Sequence, residues 1–96
     1  LRAAAIRILF SPAALDVTLT KSSTAGKTTI SVTGAGTYKY RINPATRVVY
    51  DQSDSGFTAI STDPAVSIGD VIEVAEFSSS KAVAVGYVTV TADVIG

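Results

Sequence analysis

The most regular stretches of this chain alternate apolar and polar residues with a period of two. Leu15, Val17 and Leu19 are interleaved with Asp16, Thr18 and Thr20, Ile30 and Val32 with Ser31 and Thr33, and Tyr38, Tyr40 and Ile42 with Lys39, Arg41 and Asn43. Alternation of this kind puts one set of side chains on a core and the other toward water, as in a half-buried strand. Shorter apolar runs predict further strands at residues 47–50, 57–60, 71–77 and from about 82 to 90 or beyond. In the run at 71–77, Ile72 and Val74 are expected on the core face and Glu73 in solvent. Glu76 shares the parity of Ile72 and Val74 and is expected near the strand end. The last run changes phase, with Val83 and Val85 odd-numbered and Val88, Val90 and Val94 even-numbered. A bulge at Gly86-Tyr87 would bring both sets to one core, and a strand buried on both faces is the alternative. The expected core contains Ile30, Val32, Tyr40, Ile42, Ile72, Val74, Val83 and Val85.

Turn chemistry separates these runs: residues 21–27, Gly34-Ala35-Gly36, Asn43-Pro44, residues 51–56, Asp63-Pro64 and Ser78-Ser79-Ser80-Lys81. Six or seven short strands with turns at this spacing predict an all-β, immunoglobulin-like β-sandwich of about seven strands. Little or no helix is expected after Ser11. The abundance of Val and Thr agrees, because branching at Cβ suits a pleated surface. A length of 96 residues fits one domain. The segment 3–10 is apolar but too short to span a bilayer, contains Arg7 and has no convincing signal-peptide cleavage site. Residues 1–11 therefore read as a linker or as a first strand from a preceding domain, and residues 12–96 as the sandwich. A start at Leu1 rather than Met is expected of a piece of a longer protein.

Charge and candidate chemistry narrow the function. Eight basic and eight acidic residues balance, with no basic patch of the kind that binds nucleic acid by releasing counterions. The chain has no Cys and no His, which removes thiol chemistry, the commonest general base and the commonest transition-metal ligand. Ala25-Gly26-Lys27-Thr28 looks like the end of a phosphate-binding loop. However, Lys21 stands where the first Gly is needed, and a strand follows where a helix N-terminus should be. Residues 51–56 resemble part of a calcium loop, but Thr62 stands where a bidentate Glu would close it. Glu73 and Glu76 have opposite parity and should not form a carboxylate pair. No enzymatic activity, cofactor or metal is expected. The residues best placed to contact a ligand are Lys39 and Arg41 on one strand face, joined by Arg47 and Tyr50. They would suit a small anion or a glycan, although such charges more often keep a sheet face soluble. Tyr38 and Tyr40, with their strict alternation, are expected in the core.

Gly36-Thr37-Tyr38-Lys39-Tyr40-Arg41-Ile42, then residues 67–77 (Ser-Ile-Gly-Asp-Val-Ile-Glu-Val-Ala-Glu-Phe), then Lys81-Ala82-Val83-Ala84-Val85-Gly86 together resemble immunoglobulin-like or fibronectin-III-like modules. Such modules occur in bacterial surface proteins of the S-layer type and in bacteriophage structural proteins. The resemblance covers about residues 15–92 and departs at Ser78-Ser79-Ser80, where those modules often carry Asp and Gly. It implies a non-catalytic structural or adhesive module of a larger virion or cell-surface protein, with a decoration, spacer or attachment role. The implied location is the virion or the extracellular surface. The implied partners are other domains or subunits of that assembly, with neither nucleic acid nor membrane insertion. A carbohydrate-binding module using exposed aromatics and the Lys39/Arg41 face is the alternative. The motifs determine fold rather than chemistry, so no functional residue carries over.

Overall fold

A computed structural model of the protein describes residues 11–96. The expectation of a linker or first strand within residues 1–10 lies outside the described residues. The rest is all-β, in two sheets. The larger has five strands in the order β1-β7-β6-β4-β5 and the smaller pairs β2 with β3. The strands are β1 (Ala13–Ala14), β2 (Val17–Lys21), β3 (Thr28–Val32), β4 (Thr37–Ile42), β5 (Thr58–Ala59), β6 (Val71–Ser78) and β7 (Lys81–Thr89). A single 3-10 turn, Ala92–Val94, follows.

The alternation read from the sequence sets the packing between the sheets. Leu19 and Ile30 from the small sheet meet Ile72, Val74 and Val90, with Tyr38, Tyr40, Ile42 and Val88 packed around them. Gly86 lies where β7 passes under the chain leading into β2. A Cβ there would stand 2.6 Å from the Leu15 carbonyl oxygen and 2.7 Å from a Val17 methyl. Only glycine allows this approach.

The large sheet is buried on its other face as well. Val48 and Phe57, from the connection between β4 and β5, pack on Ala75, Phe77, Ala82 and Val85. Phe57 meets Phe77 edge to face with centroids 5.0 Å apart. Three sequence expectations are corrected here. First, residues 47–50 form no strand: the Val48 and Val49 N–H groups bond to side chains of Glu73 and Gln52 instead of to a ladder. Second, the irregularity of β7 sits at Val83, not at Gly86-Tyr87. Glu76 pairs with Ala84 and Phe77 with Ala82, leaving Val83 as the extra residue. The outer edge of β7 changes neighbours at this point. Ala82 exchanges backbone hydrogen bonds with residues 51–52, whereas Ala84 and Val85 pair in parallel with β1. Third, Val85 joins the cluster around Phe77 while Val88 joins the one around Ile72, so β7 is buried on both faces rather than bulged onto one core.

Candidate functional site

The face carrying Lys39 and Arg41 is roofed by the 43–57 connection. Asn43 starts it with a positive φ of 51° and donates its N–H to the Val71 carbonyl at 2.8 Å. Its side chain also bonds Asp70 and the Val71 N–H. Asn tolerates this left-handed turn, and its amide can satisfy both a donor and an acceptor across it. The connection then carries Arg47 and Val48 over β6 and returns through Asp54 and Phe57 to β4.

Beneath this roof lies Glu73, fully buried at 0% exposure. Its expected place in solvent is overturned: Ile72 faces the small sheet and Glu73 the roof, so both are inside. Arg41 sits directly across the ladder from Glu73. Its Nε donates to Oε1 at 2.7 Å and its Nη2 stands 2.6 Å from the same oxygen. The Val48 N–H donates to Oε2 at 2.9 Å and the Tyr87 hydroxyl to the same atom at 2.5 Å. Arg41 also donates to the Thr46 carbonyl at 3.0 Å and lies 4.3 Å from the Phe57 ring centroid. Burial, then the bond to the Glu73 carboxylate, pushes the Tyr87 phenol up to about 12. No buried side-chain polar atom among the described residues lacks a partner. A carboxylate surrounded in this way acts as a staple between β4, β6, β7 and the roof.

The residues expected to contact a ligand fall at different places around this staple. Arg41 is committed to Glu73. Lys39 forms a half-buried ion pair with Asp54 at 2.6 Å, which ties the 51–56 loop back to β4. Arg47 is exposed and stacks on the Tyr87 ring, 4.3 Å from its centroid. Tyr50 lies on the surface at 36% exposure. Lys39 and Arg41 do share a face, but their cationic ends are engaged internally. Arg47 and Tyr87, with Asn43, Pro44 and Val71, line a shallow pocket of about 290 Å³. Glu76 lies on the opposite face from Glu73, across from Tyr38. The turn at 25–28 leads directly into β3, with the Thr28 hydroxyl donating to the Thr20 carbonyl.

Sequence reasoning missed the Glu73–Arg41–Tyr87 group. The signal was present as Glu73 in the middle of the apolar run 71–77, with Arg41 and Tyr87 at odd positions on flanking strands. An acid in the middle of a strand that is apolar on both faces calls for a paired base. Comparison with family models, with characterised proteins and with solved structures returns no match for this chain.

Proposed function

We propose that this domain is a non-catalytic structural or adhesive module of a larger virion or bacterial cell-surface protein, serving as decoration, spacer or attachment unit. The observation that carries this reading is the internal use of charge. Glu73, Arg41, Lys39 and Asp54 link strands to the roof instead of presenting reactive groups in a cleft. Both faces of the large sheet are packed. What remains for contact is loops and strand edges, where sandwich domains ordinarily carry their function. No helix among the described residues is long and apolar enough to cross a membrane.

Carbohydrate binding is the second reading, favoured by the pocket beside Arg47 and Tyr87. Thermal melts separate the two. A spacer unfolds as one cooperative unit at the same temperature with or without soluble glycans. A glycan at 100 times its Kd would stabilise the fold by about 2.7 kcal/mol. A glycan-induced rise in Tm that disappears in Arg47→Ala would replace the structural reading with the binding one.

A further inference from the structure

The two sheets are unequal, and the difference leaves a strand-sized opening. On the outer side of β3, the Thr28 N–H donates to the Pro64 carbonyl and the Val66 N–H to the Gly26 carbonyl. Pro64 has no N–H to return, so this short ladder stops there. Backbone groups alternate sides along a strand, so those of Ile30 and Val32 point the same way as the Thr28 N–H. Among the described residues they have no backbone partner on that side. Directly below this edge, Ile30, Val32, Tyr38, Ala59 and Ile60 border an open groove of about 600 Å³. An unpaired edge above an apolar groove is the geometry of strand addition: the backbone supplies affinity and alternate side chains fill the groove.

We infer that this edge takes an extended strand from a second copy of the chain, supplied by residues 6–10. In an extended segment Ile6, Ile8 and Phe10 fall on one side, matching the groove, and Arg7 falls on the other. The solvent side of β3 carries Asp63, bound to Thr29 at 2.8 Å and held below the ordinary carboxylate value by the Ser22 and Thr29 hydroxyls. It is a suitable counter-charge for Arg7. With Phe10 seated in the groove, the strand is too short to come from the same copy. Phe10 is three residues from Ala13 on β1, a reach of about 10 Å. The groove begins at β4, three strand positions from β1 in the sheet order, or about 14 Å away. The β1 end, where the donor joins the described chain, and the acceptor groove are thus separate surfaces, and the contact runs head to tail.

The inference supplies a partner for the structural module but does not depend on that role, since a monomeric chain would end the strand exchange and leave a spacer intact. The test is sedimentation of the full chain over a concentration series. The wild type is expected to associate. Ile8→Asp in the donor, and Ile60→Lys or the exposed Ala59→Lys in the acceptor, should each weaken association on the order of 100-fold, because each forces a charge into the groove. Melting curves check that each variant folds, and Ala59→Lys serves if Ile60→Lys does not. Mixing the donor variant with an acceptor variant should restore a one-to-one heterodimer, because one intact strand then meets one intact groove. A wild type that stays monomeric, variants that associate normally, or a mixture without heterodimer would each overturn the proposal.

Discussion

Glu73 is enclosed on all sides, and the Arg41 guanidinium is its counter-charge. Arg41→Met should therefore destabilise the fold by about 3–5 kcal/mol, because an uncompensated carboxylate remains buried. Glu73→Gln keeps the shape and should cost less, about 1–3 kcal/mol. Urea titration with an unchanged slope reads both. Tyr87 adds a pH signature. Its folded value of about 12 exceeds the ordinary 10.0, so folding favours the protonated phenol. That contribution is whole below pH 10 and is lost as pH rises through 12. The stability gap between wild type and Tyr87→Phe should accordingly narrow across this window. A gap that stays constant would show that the phenol proton is not coupled to folding. At Gly86 the constraint is steric, since an added methyl meets the Leu15 carbonyl oxygen at 2.6 Å. Gly86→Ala should cost about 1–3 kcal/mol.

The β6–β7 hairpin closes through Ser79 and Ser80, with φ of 51° and 64°. Two consecutive left-handed residues between paired strands make the tight turn for which Asn-Gly is best suited. Replacing Ser79-Ser80 with Asn-Gly should stabilise the domain by about 0.5–1 kcal/mol, measured as a raised urea midpoint. The turn was expected from the serines, but its handedness follows from the strand twist it must match. The irregularity of β7 shows the converse. Gly86 was the natural place for a bulge by residue type, yet it serves to let Leu15 approach. The bulge falls at Val83, where the strand edge passes from residues 51–52 to β1. Residues 47–50 have strand-like composition but no strand to pair with, because Glu73 takes the Val48 N–H.

Across the molecule, the large sheet is a shared wall between two apolar clusters. Ile72 is fully buried against the small sheet, so Ile72→Ala should cost about 2–5 kcal/mol. The loops are tied by carboxylates at the surface. Asp63 accepts from the Ser22 and Thr29 hydroxyls, and Asp70 accepts from the Ser67 N–H and the Asn43 amide; both are held below the ordinary 3.8. Folding therefore favours their charged forms, and their contribution, present above pH 3.8, is lost as pH falls through the lowered values. Melts below pH 4 should show this loss, reduced in Asp63→Asn. Equal acid sensitivity in that variant would assign the effect to other groups.

Alternation alone placed Leu19, Ile30, Tyr38, Tyr40, Ile42, Ile72 and Val74 against one core, because a period of two leaves only one face for each apolar set. Turn residues likewise marked where strands end, since Gly, Pro, Asn and Ser act on the backbone within a few positions. The second buried face could not be read in this way. It depends on the 43–57 connection folding back over β6, a contact between residues distant in the chain and without a periodic pattern. Once that roof is in place, Glu73 moves from the expected surface into the interior, Arg41 becomes its counter-ion rather than a ligand contact, and Val85 gains a cluster to join. Burial on the second face belongs to the long-range packing of the loop, whereas burial on the first is encoded strand by strand.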